Sequence, residues 1–237
     1  MIGGFIVQGS TGKRIVLRAL GPSLADLGVK NTLADPILEL YDSTGTLIKQ
    51  NDNWGSLPPD VVASGLTPKD PAESLIAATL SPGSYTAVLR GANGCTGVAL
   101  CELYDLDPTS SRISNISTRG VAGAGDSAMI GGFIIGGSEP TKVLVRAIGP
   151  SLTAFGISGA LRDPVLELRN SDGSLLFQND NWRSDQKQQI IDTTIPPTDD
   201  RESAIVATLV PGGYTAVVHD AANLAGVALV EIYDLDN

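Results

Sequence analysis

The feature that most constrains this chain is that it is written twice. Met1-Ile2-Gly3-Gly4-Phe5-Ile6 returns as Met129-Ile130-Gly131-Gly132-Phe133-Ile134, and Gln50-Asn51-Asp52-Asn53-Trp54 returns as Gln178-Asn179-Asp180-Asn181-Trp182, at an offset of 128 (178 minus 50). Arg18-Ala19-Leu20-Gly21-Pro22-Ser23-Leu24 and Asp35-Pro36-Ile37-Leu38-Glu39-Leu40 recur at that offset, near-identically, from Arg146 and Asp163. From Glu73 and Glu202 onward the offset is 129 (202 minus 73), so the second copy has one more residue ahead of Glu202. Self-similarity on this scale specifies two copies of one domain, not one site assembled from the whole chain. The 237 residues leave each copy about 110, enough to bury a core of its own.

Each copy reads as β structure. With 27 Gly, 14 Pro and only 18% charged residues, turn formers punctuate short β-branched runs. Residues 2–8 and 14–20 read as a hairpin about Gly9-Ser10-Thr11-Gly12, and Pro22 to Gly28 as a short helical turn closed by glycine. Residues 37–42 and 46–51 form a second hairpin about Asp42-Ser43-Thr44-Gly45, followed by strands at 74–80, 85–90 and 98–106. About seven short antiparallel strands per copy predict an all-β fold: two tandem antiparallel β-sandwich, jelly-roll-like domains at 1–107 and 129–237. Residues 108–128 read as a linker plus an extra strand, in which Ser111, Arg112, Ile113, Ser114, Asn115, Ile116, Ser117, Thr118 and Arg119 alternate. The second copy has this strand ahead of its Met-Ile-Gly-Gly-Phe-Ile; the first copy begins at that motif. If the segment is integral to a copy, the first copy exposes an edge that a neighbouring chain's segment can fill.

The net charge of -10 and the scattered 16 Lys and Arg offer no basic stripe for phosphates, which argues against a nucleic-acid partner. No apolar run approaches the ~20 residues of a membrane-spanning helix. His219, the single histidine, aligns with Arg90, so a Ser-His-Asp or Cys-His constellation would not be shared by the copies, and the glycines near Lys13 do not spell a phosphate loop. The chain reads as a non-enzyme that requires no cofactor. Cys95 and Cys101 align with Leu224 and Val230 and read as small buried hydrophobes, with a bridge to another chain as the alternative.

Duplicated charges supply the candidate sites. Asp35, Asp52 and Glu73, with Asp163, Asp180 and Glu202, lie at strand ends where carboxylates, amides and carbonyls can complete six to eight oxygens about Ca²⁺; the competing reading is local Asx-turn hydrogen bonding. Arg18 and Arg146 stand in strands otherwise apolar on both faces, and Glu102 and Glu231 occupy equivalent places in the last strand. Isolated charges there are costly, so the pattern predicts cross-strand pairs, Arg18 with Glu102 and Arg146 with Glu231. Trp54 and Trp182 end a strand, where an aromatic either stacks on a sugar or caps a core.

The run Asp163-Pro164-Val165-Leu166-Glu167-Leu168, Asp172-Gly173, Gln178-Asn179-Asp180-Asn181, Glu202-Ser203-Ala204-Ile205-Val206, Pro211-Gly212-Gly213-Tyr214 and Gly226-Val227-Ala228-Leu229-Val230 resembles the bacterial pre-peptidase C-terminal domain, and the first copy shows the same order. The whole unit, from Ser111-Arg112-Ile113-Ser114 onward, is similar to a repeat found in tandem in large secreted and surface proteins of environmental bacteria. The resemblance implies a jelly-roll-like sandwich, export, and service as an appended module, with calcium or a polymeric ligand bound by some members. Two functions follow as expectations. The first is a non-catalytic extracellular structural protein, other copies of itself as partners, assembling end to end into a fibre or surface layer. The second is a calcium-dependent module that binds a polysaccharide or protein.

Overall fold

In the computed structural model, which describes residues 1–107, 111–123 and 125–236, the duplication becomes two units, Met1–Ser114 and Asn115–Asn237. Pro108, Thr109, Ser110 and Ala124 of the segment expected as linker and extra strand lie outside the described residues. The first unit contains β1 (Ile2–Gln8), β2 (Lys13–Leu20), β3 (Pro36–Tyr41), β4 (Leu47–Asn51), α1 (Pro59–Ala63), β5 (Ser74–Leu80), β6 (Gly83–Gly91) and β7 (Leu100–Asp105). They form one sheet in the order β1-β6-β3-β4 and another in the order β5-β2-β7, with antiparallel neighbours in both.

The second unit repeats this plan with β9 (Met129–Ile135), β10 (Thr141–Ile148), β11 (Pro164–Asn170), β12 (Leu175–Asn179), α2 (Lys187–Asp192), β13 (Ser203–Leu209), β14 (Gly212–Asp220) and β15 (Gly226–Asp234). Its sheets run β12-β11-β14-β9 and β13-β10-β15-β8, where β8 is Arg112–Ala122. Side chains of alternating parity fill the space between the sheets: Phe133, Leu166, Leu168, Ala216 and Val218 from one, Val143, Val145, Ala147, Ile205, Val230 and Ile232 from the other. The fold is an all-β sandwich, twice.

One expected pairing is corrected. Residues 2–8 and 14–20 do not form a hairpin: β1 pairs with β6, whereas β2 pairs with β5 and β7 in the opposite sheet. The Gly9 to Gly12 turn therefore carries the chain from one sheet to the other. The burial of β2 shows why, since Ile15, Val16 and Leu17 are all buried and a strand covered on both faces belongs at the centre of a layered structure. The second hairpin does form, as β3 with β4 and β11 with β12. Its turn is closed by Asp42, whose Oδ1 accepts the backbone N–H of Thr44 at 2.8 Å and of Thr46 at 2.9 Å, with Gly45 left-handed at φ 81°.

What covers the outer face of β2 is an element that the sequence patterns do not assign. Val16, Leu75 and Ala77 pack there against Val61 of α1, with Trp54, Leu57 and Leu66 partly buried around them. In the second unit Leu144, Ala204 and Val206 meet Trp182 and Ile190 of α2. A helix of five or six residues is too short to persist alone, so its existence depends on this contact. Full burial of a Val or Leu contributes about 1.5–3 kcal/mol.

Candidate functional site

The motifs shared by the two copies converge on one polar frame per unit. Gly21-Pro22-Ser23 opens a 3-10 turn, Pro22–Leu27, that Gly28 closes in the left-handed region at φ 83°. Gly21 is needed because a Cβ would collide with the carbonyl oxygen of Leu33, as at Gly149 with Leu161. Into this turn projects the fully buried carboxylate of Glu73: its Oε1 accepts the N–H of Gly21 and of Ser23, each at 3.0 Å, and the Ser23 hydroxyl at 2.5 Å. Glu202 repeats the arrangement, accepting from Gly149 at 3.1 Å, Ser151 N–H at 3.0 Å and Ser151 Oγ at 2.5 Å. Successive N–H groups converging on one oxygen make an anion nest, and here the anion is the protein's own.

The Asn-Asp-Asn-Trp segments serve the same frame. Asn51 Oδ1 accepts the N–H of Leu75 at 2.8 Å and Asn179 Oδ1 that of Ala204 at 3.0 Å, fixing the ends of β4 and β12 to β5 and β13. Trp54 donates Nε1–H to the Asp70 carbonyl at 3.0 Å, and Trp182 to that of Asp199 at 3.2 Å. Trp182 is buried in the core, with the Arg183 guanidinium 4.6 Å from its ring centroid. That ring is packed inside the protein rather than presented to a sugar.

The six acids expected about one cation per copy stand in different settings. Glu73 and Glu202 are engaged by backbone N–H donors; Asp52 and Asp180 are exposed. Asp35 and Asp163 each keep one buried oxygen, Oδ1, without a hydrogen-bond partner. Burial, followed by the neighbouring Asp180 and Asp220 carboxylates, raises the Asp163 carboxyl above its ordinary value. Among the described residues no group of three or more His, Cys, Asp or Glu is placed to hold a metal ion.

Arg18 and Glu102 stand directly opposite each other on β2 and β7, and Arg146 and Glu231 on β10 and β15. Arg18 grips Glu102 Oε2 through Nε at 2.9 Å and Nη2 at 2.5 Å, and donates Nη1–H to the Leu66 carbonyl at 2.9 Å. Tyr104 completes the group, its hydroxyl donating to Glu102 Oε1 at 2.8 Å and its ring 5.1 Å from the guanidinium carbon. Arg146, Glu231, Ile195 and Tyr233 reproduce every one of these contacts. The charges are held and satisfied within the sheet, where they also tether the segment after each short helix. Burial and the adjacent Glu231 carboxylate push the Tyr233 hydroxyl up to about 12. Cys95 and Cys101 are free, and His219 lies beside Glu167 with its Nε2 3.8 Å from the carboxylate.

Sequence motifs alone do not show Lys13. Its side chain is almost fully buried, and its ammonium meets Asp105 at 2.9 Å and the Asp107 carbonyl, joining the start of β2 to the end of β7. The signal available was a lysine where the sister copy has Thr141.

The two units differ at the edges of β7 and β15. β15 lies between β10 and β8, whereas β7 has β2 on one side and, among the described residues, no strand on the other. β8 pairs antiparallel with β15 from Gly226↔Ala122 to Tyr233↔Asn115. Its Ile116 and Ala122 face the core, and Asn115 Nδ2 donates to the Ile232 carbonyl at 3.0 Å. Ser117 lies opposite Glu231, Thr118 opposite Val230 and Arg119 opposite Leu229, with Ile113 and Ser114 earlier on the same strand. Ser111 and Arg112 bond instead within the first unit: the Ser111 hydroxyl donates to the Thr11 carbonyl at 2.6 Å, and Arg112 reaches Gln8 at 3.4 Å. Where β8 covers β15, Ala228, Val230 and Ile232 are buried; at the matching places Ala99, Cys101 and Leu103 are only half-buried. Val98 and Leu100 are 48% and 41% exposed, and Met1 is 42% exposed against 7% for Met129.

No family model matches the chain, and no curated protein does. Among solved structures it is similar to a protein of the Sulfolobus turreted icosahedral virus, with 10% identity over 99% of this chain and 88% of the other and a TM-score of 0.28. A provisionally assigned secreted protein of Eubacterium rectale follows, with 12% identity over 97% of this chain and 66% of the other and a TM-score of 0.24. PBCV-1 VP54, as fitted into a reconstruction of the virophage Sputnik, shares 8% identity over 98% and 92% at a TM-score of 0.24. Scores this low say nothing of what the chain does.

Proposed function

We propose that the chain is a non-catalytic structural module of the cell exterior whose repeats join like repeats end to end through strand addition, giving a fibre or surface layer. The observation that carries this reading is that β7 ends the strand order β5-β2-β7, whereas its counterpart β15 is followed by β8 in the order β13-β10-β15-β8. An uncovered edge with half-exposed apolar side chains is a template for another strand. Burial of Glu73, Glu202 and Trp182, together with the hydrogen bond that Trp54 gives the Asp70 carbonyl, supports the non-catalytic part, because these residues are occupied in holding loops and strands. Contacts between different surfaces on successive copies propagate as an open filament. Electron microscopy and light scattering of the purified chain across concentration test it; a particle that stays monomeric at every concentration and salt overturns it.

A calcium-dependent binding module of a secreted protein is the second reading, and the unpartnered Oδ1 atoms of Asp35 and Asp163 favour it. Calorimetry with Ca²⁺ decides, since heat of binding and a raised Tm are required.

A further inference from the structure

We propose that the open edge of β7 takes up an extended strand of the Arg112–Ala122 type, donated by another repeat of this kind, in the antiparallel register that β8 keeps with β15. The inference rests on the assembly reading above and names its partner. The sister unit is the argument: residues 97–104 and 226–233 correspond at an offset of 129 (226 minus 97), and the second set is covered by β8. Carrying the register across places an Ile116-type residue opposite Leu103, a Thr118-type residue opposite Cys101 and a Gly120-type residue opposite Ala99. Each donated side chain then closes a position that the first unit leaves half-exposed.

The partner's chemistry follows position by position. The residue facing Leu103 must be apolar, since Ile116 packs against the core that Ile232 enters. Opposite Ala99 a small residue suffices, since a Cβ on Gly120 would already touch the Met129 Cε at 3.4 Å and Met1 is the corresponding side chain. An Asn115-type amide would find the Leu103 carbonyl, as Asn115 finds that of Ile232. Residues 111–122 carry two arginines and no acid, whereas the chain as a whole is at -10, so charge favours the encounter. Main-chain hydrogen bonds supply affinity and the alternate side chains supply register, as in other strand additions.

The test is a fluorescein-labelled peptide of residues 111–122 titrated by anisotropy into the full chain, diluted to where it is monomeric, with hydrogen exchange read in parallel. Saturable binding is expected, with slowed exchange at Leu100–Asp105 and none at β15. A peptide carrying Ile116→Asp is expected to bind about tenfold more weakly or worse. Absence of saturation, equal binding of the reversed sequence, or protection confined to other strands overturns the proposal. A chain that forms filaments yet ignores the peptide loses the donated strand and keeps the assembly reading. One that binds the peptide but never assembles does the reverse.

Discussion

Glu202 and Ser151, 51 residues apart, meet at 2.5 Å between hydroxyl and carboxylate, and the same oxygen takes the N–H groups of Gly149 and Ser151. That one buried acid holds the Gly-Pro-Ser turn to the start of β13. Removing it leaves two N–H donors and a hydroxyl without an acceptor in a site closed to water. Glu202→Ala is expected to cost about 3 kcal/mol or more, and Glu202→Gln, which keeps an acceptor oxygen, about 1 kcal/mol. Urea denaturation of the two variants checks the order; equal and negligible losses would show that the turn is held by other means.

The Arg146–Glu231 pair predicts a different signature, because both partners are charged and mostly covered. Glu231→Ala strands a guanidinium between sheet and helix segment, at an expected cost of about 3–5 kcal/mol. Replacing both, Arg146→Met with Glu231→Leu, is expected to recover most of that loss. In the first unit Glu102 is 21% exposed against 10% for Glu231, so Glu102→Ala is expected to cost less. A double-mutant cycle in each unit measures the difference.

How far this was legible in the sequence depends on whether a residue's partner is local. The duplication, the β3-β4 hairpin and the Gly28 cap follow from spacing and turn chemistry alone. Arg18 and Glu102 were readable as a pair because a charge in an apolar strand demands one. The β1 to β2 connection was not readable as a crossing between sheets, because Gly9 to Gly12 has the composition of a hairpin turn and only the long-range pairings of β6 and β7 decide otherwise. The engagement of Glu73 and Glu202 was hidden for the same reason: nothing local reveals that Gly21 and Gly149 aim their N–H groups at them. The short helices α1 and α2 have no periodicity long enough to register.

Asp163 makes stability pH-dependent in an uncommon direction for a carboxylate. Burial and the Asp180 and Asp220 charges raise its pKa in the folded state, so the folded chain binds a proton where the unfolded chain has released it. Its contribution is therefore favourable below the unfolded value of about 3.9 and is lost as pH rises through the raised value. Asp163→Asn is expected to raise Tm at pH 7, with the gap to the parent chain closing as pH falls below about 4. If Ca²⁺ raises the parent's Tm at pH 7 and leaves the Asn variant unchanged, the carboxylate is a cation ligand.

Cys101 lies on β7, at the position that a donated strand would cover, and its thiol is pushed up to about 12, chiefly by burial and further by the adjacent Glu102 carboxylate. The thiolate is the reactive form, so near pH 8 Cys101 is expected to alkylate about a thousandfold more slowly than a free cysteine of ordinary pKa. Mass spectrometry of the chain after timed exposure to iodoacetamide reads this directly. Raising the pH toward 10 should speed the reaction by about tenfold per unit, the signature of a protonated thiol. A rate at pH 8 equal to that of free cysteine would place the Cys101 sulfur in water and remove it from the half-closed core of the first unit.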